Sequence, residues 1–234
     1  MDLTGRTVVV TGASRGIGAA LVRAFAGEGA HVVACARDAD ALDDAVAAVD
    51  VVDGSAEAVR ADVRDEFDVE RLMETAARGG DDDGIAVLVP NAAVNHGSPA
   101  ETPMGEESYT RFDDTLRTNV RGVFAAVREA LPHAADDARV LVPSGSIAAD
   151  TKPGMGAYAV SKAAVEGLAR QFAADTAPAV GVVDPGLVAT ELTDGQGRGP
   201  DDVAPMYVWA ATELPREELD GGRFDLRAWK KATR

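Results

Sequence analysis

The chain has 234 residues, 46% of them hydrophobic and 26% charged, which suits one globular domain whose core needs no disulfide or metal. Its formal net charge of −16 argues against a nucleic-acid-binding protein, because phosphate backbones attract basic surfaces. No apolar run approaches the ~20 residues of a membrane helix and the N-terminus lacks a secretory pattern, so we expect a cytoplasmic protein without membrane contact.

Arginine supplies 19 of the 23 basic residues, and lysine occurs only four times. Such an acidic, lysine-poor composition resembles proteins of salt-loving organisms, because concentrated salt screens the repulsion between surface carboxylates. A GC-rich genome that favours Ala, Arg, Asp, Gly and Val codons is the alternative explanation. The single cysteine, Cys35, lies in an apolar run and is predicted to be a buried, inert thiol.

Apolar runs of strand length alternate with segments of helical periodicity. The predicted strands cover residues 6–11, 31–36, 85–89, 139–143 and 179–183, with a short last strand within 219–226. The predicted helices cover 17–28, 39–49, 115–131, 157–174 and 200–212. Near-continuous Val, Ile, Leu and Ala strands indicate a parallel sheet buried on both faces. The expected fold is therefore α/β, a Rossmann-type doubly wound parallel sheet flanked by helices, in one domain over 1–234.

Two segments rich in glycine, proline and polar residues, 95–107 and 193–200, follow predicted strands. In doubly wound folds ligands bind at the carboxyl ends of the strands, so these segments are candidate covers of a site. The alternative is that both are ordinary solvated connections.

A glycine-rich turn, Gly12-Ala-Ser-Arg-Gly-Ile-Gly18, stands between the first predicted strand and the first helix. Glycines there allow a tight turn and let the main chain approach a pyrophosphate at the helix N-terminus. The spacing is Gly-x-x-x-Gly-x-Gly, which differs from the Gly-x-Gly-x-x-Gly fingerprint. The context predicts nucleotide binding.

The stretch Thr11-Gly-Ala-Ser-Arg-Gly-Ile-Gly18 resembles the short-chain dehydrogenase/reductase family, and further motifs follow in the family's order over about residues 3 to 192. They are Asp62-Val63, Asn91-Ala-Ala93, Asn119, Ser146, Tyr158-x-x-x-Lys162 and Asp184-Pro-Gly-Leu-Val-Ala-Thr190. The resemblance implies that cofactor is bound by Gly12, Ser14, Arg15, Gly16, Ile17, Gly18, Arg37, Asp62, Val63, Asn91, Ala92, Ala93, Tyr158, Lys162, Pro185, Gly186, Val188 and Thr190. Pro90 and Ala93 stand where the family usually has the first Asn and the final Gly of an Asn-Asn-Ala-Gly segment.

The end of the second strand indicates which nicotinamide cofactor is bound. An acidic residue there bonds the ribose 2′-hydroxyl of NAD, whereas arginine accommodates the 2′-phosphate of NADP. The chain has Ala36 and then Arg37, with Arg15 in the glycine turn, which favours NADP(H) over NAD(H). Asp38 leaves NAD(H) as the alternative, because placing the motif one or two residues later would put an acid at the position that bonds the ribose 2′-hydroxyl.

Tyr158 and Lys162 stand four residues apart in a predicted helix, so their side chains project from the same face. A neighbouring ammonium, together with the positive nicotinamide of an oxidised cofactor, is expected to lower the pKa of the phenol, which would serve as general acid or base. The resemblance implies that Ser146 bonds the substrate oxygen and that Asn119 completes a proton relay through Lys162. Ser144 is the alternative to Ser146, because the spacing to the tyrosine is one residue shorter than usual.

Together these features predict an NADP(H)-dependent oxidoreductase, of carbonyl reductase or alcohol dehydrogenase type, acting on a small carbonyl or secondary alcohol. The resemblance also implies a homodimer or homotetramer, with helices 115–131 and 157–174 at the contact. No metal is expected, because the three histidines are dispersed. A non-catalytic NADP(H) sensor, a subunit of a complex and an epimerase or dehydratase are the competing hypotheses.

Overall fold

One parallel sheet of seven strands forms the centre of the computed structural model, which describes residues 1–49, 53–80, 84–98 and 100–234. The strands are Thr7–Thr11 (β1), His31–Ala36 (β2), Ser55–Arg60 (β3), Ile85–Val89 (β4), Ala134–Pro143 (β5), Ala179–Asp184 (β6) and Arg223–Asp225 (β7). Their order in space is β3-β2-β1-β4-β5-β6-β7, and the strand pairs are parallel. The predicted single-domain, doubly wound α/β fold is confirmed.

Helices cover both faces of this sheet. In the described residues they are Gly16–Gly27 (α1), Ala39–Ala47 (α2), Glu66–Ala76 (α3), Tyr109–Leu116 (α4), Gly122–Ala130 (α5), Gly156–Asp175 (α6), Pro200–Thr212 (α7), Arg216–Leu219 (α8) and Leu226–Ala232 (α9). A π-helical turn, Arg117–Arg121, joins α4 to α5. The helix predicted for 115–131 therefore begins earlier, at Tyr109.

Two hydrophobic cores form because successive residues of a strand point to opposite faces. Val8 and Val10 of β1 pack with α1, α2 and α7, where Phe25 and Tyr207 are fully buried. Val9, between them, belongs to the other core, which is formed with α3, α5 and α6. The continuous apolar strands thus serve two helical layers at once, as the sequence predicts.

The structure contains elements that the sequence prediction lacks, among them strand β3 and helices α3, α8 and α9. Strand β3 reads Ser-Ala-Glu-Ala-Val-Arg and lies at the edge of the sheet, so it carries too little apolar surface to stand out. Helix α3 has a polar composition, and its N-terminus is capped by the Asp65 side chain, which accepts from the amides of Phe67 and Asp68. Of the predicted loop 95–107, Pro99 lies outside the described residues.

The two phenylalanines of α1 and α3 test how much the first core contributes to stability. Phe25 is fully buried, whereas Phe67 is 72% exposed. We expect Phe25→Ala to lower the free energy of unfolding by about 3–5 kcal/mol, because it removes buried area and leaves a cavity. Phe67→Ala is the matched control and should change it by less than ~0.5 kcal/mol. Urea unfolding in concentrated salt measures both, and equal losses would contradict this account of the core.

Candidate active site

A cleft of about 950 Å³ opens at the carboxyl ends of β1, β2 and β4, where the strand order reverses. Twelve residues predicted to bind cofactor line it: Gly12, Ser14, Arg15, Gly16, Ile17, Arg37, Asp62, Val63, Asn91, Ala92, Ala93 and Thr190. The sequence prediction missed Cys35, Ala36, Asp38, Ala41, Ala61, Val94, Thr118, Ala189, Glu191, Leu192 and Pro200, which also line it. Most of these are sequence neighbours of the motif residues.

The glycine-rich turn has no room for side chains. Gly12 and Gly16 have φ angles of +65° and +55°, which favour glycine. A Cβ on Gly12 would lie 2.7 Å from the Cα of Ala92, and one on Gly18 would lie 2.1 Å from the carbonyl oxygen of Gly12. Gly18 therefore faces the turn and packs α1 against it, while the N-terminus of α1 stays open to the cleft.

Side chains of β1 and the β4 end hold this turn in place. The Thr11 hydroxyl accepts a hydrogen bond from the Ala92 amide at 3.0 Å. The Asn91 side-chain amide donates to the carbonyl oxygens of Thr11 and Gly12 at 3.0 and 3.2 Å. Asn91 thus ties the glycine turn to the neighbouring strand, so the cleft has a rigid floor.

The residues after β2 lie at one end of the cleft. Ala36, Arg37 and Asp38 all line it, and the Arg37 side chain is exposed. The Asp38 carboxylate caps α2 by accepting from the Ala41 amide at 3.2 Å. Arg15 lies across the opening, in a 2.6 Å ion pair with Glu191. Arg37 has no ion-pair partner among the described residues, whereas Arg15 is paired with Glu191, so Arg37 is the arginine that can bind an anion without breaking an ion pair.

Asp62, in the motif Asp62-Val63 that is predicted to bind cofactor, belongs to a chain of ion pairs. The Arg64 guanidinium contacts the carboxylates of Asp62 at 2.7 Å and Asp114 at 2.8 Å. Asp114 also contacts Nε2 of His96 at 2.7 Å. These bonds connect the floor of the cleft with the loop after β4 through α4.

Tyr158 and Lys162 lie on the same face of α6, as predicted. The Lys162 Nζ is 5.6 Å from the centroid of the Tyr158 ring and donates a hydrogen bond to the Pro143 carbonyl oxygen at 3.1 Å. Lys162 is buried, with 8% exposure. Within the described part of the chain, no protein group hydrogen-bonds the Tyr158 hydroxyl. That hydroxyl is therefore available to a bound molecule.

Burial shifts the pKa values of both members of this pair. A lowered phenol pKa is expected from the neighbouring ammonium, but burial raises the pKa of Tyr158 to about 12. The reason is that the ammonium donates to Pro143 rather than to the phenol, so desolvation dominates. Burial also lowers the pKa of Lys162 to about 8, against an opposing effect of the Glu166 carboxylate. Near neutral pH the pair is therefore a neutral phenol beside an ammonium.

Asn119 lies in the π-helical turn and is 2% exposed. Its side-chain oxygen accepts from the Val94 amide at 2.8 Å, and its amide donates to the Val94 carbonyl at 2.9 Å and the Ser161 hydroxyl at 3.0 Å. These bonds fasten the loop after β4 to α6, one residue before Lys162. Such π-helical turns occur frequently at functional sites.

The two candidate serines have different surroundings. Ser144 is buried, and its hydroxyl donates to the Glu166 carboxylate at 2.8 Å. Ser146 is exposed at the start of a short 3₁₀ turn, Ser146–Ala148, and its hydroxyl accepts from the Lys152 ammonium at 3.1 Å. Of the two hydroxyls, that of Ser146 is the one open to a substrate.

The segment after β6 closes the remaining side of the site. Gly186, with φ +71°, donates its amide to the Asp184 carboxylate at 2.9 Å. Val188 is buried and bridges to Arg198, and a methyl group of Thr190 would lie 3.1 Å from a Cβ on Gly16. Six of the residues predicted to bind cofactor do not line the cleft: Gly18, Tyr158, Lys162, Pro185, Gly186 and Val188.

The described residues contain neither a membrane-spanning helix nor a cluster of metal ligands. Their helices include none with the length and apolarity to cross a membrane. In the same ranges no group of three or more His, Cys, Asp or Glu side chains could hold a metal ion. Cys35 is fully buried, and burial raises the pKa of its thiol to about 12.

Two glycines of α1 test the role of the close-packed turn. We expect Gly18→Ala to abolish nucleotide binding, because its Cβ would displace the Gly12 carbonyl and with it the turn. Gly27→Ala in the last turn of α1 meets no atom within 4 Å and should stabilise the fold by about 0.4–1 kcal/mol. Nucleotide titration followed by calorimetry, with thermal unfolding in parallel, distinguishes the two. Wild-type affinity in Gly18→Ala would show that the turn does not hold the nucleotide.

Comparison with known proteins bears on this arrangement. Residues 6–200 match the family model described as short chain dehydrogenase. The chain is 32% identical over 237 residues to 3beta-hydroxysteroid dehydrogenase 1 of Eggerthella lenta, with 91% of this chain and 88% of the relative covered. A Burkholderia cenocepacia short chain dehydrogenase in complex with NADP is 28% identical, with a TM-score of 0.85 and 97% and 98% coverage. A Brucella melitensis 3-ketoacyl-(acyl-carrier-protein) reductase complexed with NADH, 24% identical over 96% and 97% of the two chains, shares the fold at a TM-score of 0.84.

Proposed function

Because this chain belongs to the short-chain dehydrogenase family of oxidoreductases, we propose that it is an NADP(H)-dependent enzyme that interconverts a small carbonyl compound and its secondary alcohol. The observation that carries the proposal is the Tyr158 side chain, whose hydroxyl has no protein partner in the described residues and whose ring centroid lies 5.6 Å from the ammonium nitrogen of Lys162. The carbonyl substrate would bind between Tyr158 and Ser146.

The cleft fits a nicotinamide dinucleotide. Its glycine turn places glycine at the first position of α1, where the main chain can approach a pyrophosphate, and Ser14 and Arg15 line the cleft beside it. Asp62 and Val63 would contact adenine. The segment from Asn91 to Ala93 would contact the nicotinamide ribose together with Tyr158 and Lys162. The segment from Pro185 to Thr190 would cover the nicotinamide. When bound, the nicotinamide supplies or accepts the hydride. The whole chain, 1–234, would then act as one cofactor-binding domain.

The protein's part in the reaction is proton transfer and charge stabilisation. A phenol whose pKa is about 12 keeps its proton at neutral pH, so Tyr158 is set to donate it to a carbonyl oxygen in the reductive direction. The Ser146 hydroxyl would donate to the same oxygen and stabilise its developing charge. Lys162 would compensate the phenolate that remains. Asn119 would order the relay by fixing the loop against α6, as its bonds to Val94 and Ser161 suggest.

Residues at the end of β2 support a preference for NADP(H). Asp38 is engaged as the cap of α2, so its carboxylate is not free to bind a ribose 2′-hydroxyl at full strength. Arg37 is exposed at the cleft and offers a charge-assisted bond to a 2′-phosphate. Arg15 would join it once released from Glu191. One similar structure is complexed with NADP and another with NADH, so we infer the preference from the residues of this chain.

We also propose a homodimer or homotetramer in the cytoplasm of a salt-adapted cell. Phe124 of α5 is 41% exposed and stacks on Phe172 of α6 at 6.0 Å, which gives the predicted contact helices an apolar patch. Cys35, the single cysteine of the chain, has no disulfide partner within it, which fits a reducing compartment. The net charge of −16 supports salt adaptation.

Replacing Tyr158 by Phe tests the chemistry. We expect Tyr158→Phe to lower kcat for carbonyl reduction by at least ~10²-fold, because it removes the proton donor and leaves the ring. Binding of NADPH should change little. The assay follows NADPH oxidation against aldehydes, ketones and diketones in dilute and molar potassium chloride, with Tyr109→Phe, 91% exposed, as the control. Tight NADPH binding without turnover in the wild-type protein would instead support the sensor hypothesis.

Replacing Arg37 by Ala tests the cofactor preference. A charge-assisted bond contributes about 1.5–3 kcal/mol, so Arg37→Ala should raise the Kd for NADPH by roughly 10–100-fold and leave that for NADH nearly unchanged. Arg128→Ala, an exposed arginine of α5 outside the cleft, is the matched control. Nucleotide fluorescence titration gives both constants. Equal losses for the two nucleotides would refute the role of Arg37.

A further inference from the structure

A cluster of four charged side chains lies beneath the site, and two of them, Glu166 and Arg223, belong to none of the sequence motifs. Lys162 and Glu166 belong to α6, Asp184 ends β6 and Arg223 begins β7. Lys162, Glu166 and Asp184 are between 6% and 9% exposed. Two cations and two carboxylates balance formally, as buried charges require.

Glu166 is the centre of the contacts in this cluster. One of its oxygens accepts from the Ser144 hydroxyl at 2.8 Å and from Nε of Arg223 at 3.2 Å. The Arg223 guanidinium also donates through Nη2 to the Asp184 carboxylate at 2.8 Å. Arg223 thus holds two carboxylates that come from different elements, and the Glu166 carboxylate has a fixed position.

The same contacts reach Lys162 by two routes. Glu166 follows Lys162 by four residues in α6, so both side chains lie on one face of the helix. Ser144, which donates to Glu166, directly follows Pro143, whose carbonyl oxygen accepts from the Lys162 ammonium at 3.1 Å. Glu166 therefore contacts the end of β5 that orients the lysine.

Charge adds to this geometry. Burial favours the neutral amine of Lys162 and lowers its pKa to about 8, whereas the negative charge of Glu166 raises it. Without that carboxylate, the ammonium would lose its proton at a lower pH. The proton-transfer step proposed above needs the charged form of Lys162, because a neutral amine cannot stabilise the phenolate of Tyr158.

We propose that Glu166 is a positioning residue that keeps Lys162 protonated and directed at the end of β5, and that Arg223 of the C-terminal strand tunes its effect. The inference rests on the proposed function, since it assigns Glu166 to the proton-transfer step of that reaction. The other ionisable side chains in this part of the site are Tyr158 of α6, Asp184 of β6, Tyr207 of α7 and Lys152 of the preceding loop.

The chain offers a direct test, because it contains only four lysines. Protein labelled with ¹³C at the lysine ε-carbons gives four NMR signals, and Lys162→Arg identifies the relevant one. We expect Glu166→Gln to lower the titration midpoint of Lys162 by about one pH unit from its value near 8. Glutamine keeps the acceptor for Ser144 and Arg223 and removes only the charge.

Three further variants separate charge from packing. Arg223→Gln should move the Lys162 midpoint upward, because it removes the cation that is paired with Glu166 and offsets part of its negative charge, and Arg223→Lys should restore it. Ser144→Ala loses a hydrogen bond to Glu166 but no charge, so it should leave the midpoint close to that of the wild type. A role in packing alone would lower the melting temperature in these variants without opposite shifts of the midpoint.

The outcome is decided without cofactor or substrate, so it is independent of the Tyr158→Phe result. A Lys162 midpoint that is equal in wild type and Glu166→Gln overturns the proposal. If circular dichroism shows that Glu166→Gln does not fold, the Lys162 midpoint in Arg223→Gln becomes the test. A midpoint that moves downward or stays unchanged in that variant overturns the proposal. In the reductive assay, the activity loss of Glu166→Gln should deepen to about tenfold above pH 8, which is the change that one pH unit produces.

Discussion

The close approach of the main chain at Gly12 and Gly18 is the constraint on which the rest of the site depends. A Cβ at either position would overlap backbone atoms, so α1 can begin against the end of β1 only with glycine there. That contact sets the start of α1 and therefore the opening of the cleft between β1 and β4. Asn91 and Thr11 then fasten the β4 end to the same turn. The nucleotide side of the site is thus made largely of main-chain groups.

The side of the site proposed for proton transfer is made differently, from side chains whose charges are costly to bury. Tyr158 and Lys162 both lose hydration, and burial shifts their pKa values in opposite directions, to about 12 and about 8. The neutral phenol and the charged amine are the forms present at neutral pH. The state of Lys162 is the more easily lost, since its pKa lies near physiological pH. A nearby carboxylate is the simplest means by which a folded chain can protect it.

Much of the fold could be predicted from the sequence, because strands buried on both faces need continuous apolar runs and phosphate-binding turns need glycine. Strand β3 could not, since an edge strand buries little and alternates in polarity. Within the protein itself burial raises the pKa of Tyr158, and the spacing Tyr-x-x-x-Lys does not tell that the ammonium donates to the Pro143 carbonyl oxygen. The lowering expected from the ammonium together with an oxidised nicotinamide stays a prediction. The site roles of Asn119, Ser146 and the cofactor-binding residues stay predictions, supported by their positions.

The Glu166 cluster illustrates why pairwise chemistry across a fold is hard to read from one sequence. Its members come from α6, β6 and β7 and from the residue that follows β5, and Arg223 lies 57 positions from Glu166. Only the sheet order, which places β7 beside β6, brings them together. The C-terminal strand is just three residues long, yet it supplies one of the two cations that balance the two buried carboxylates. Loss of Arg223 from this edge strand would leave Lys162 as the remaining cation of the cluster beside Glu166 and Asp184, which is why a single arginine at the end of the sheet affects the charge balance at the lysine.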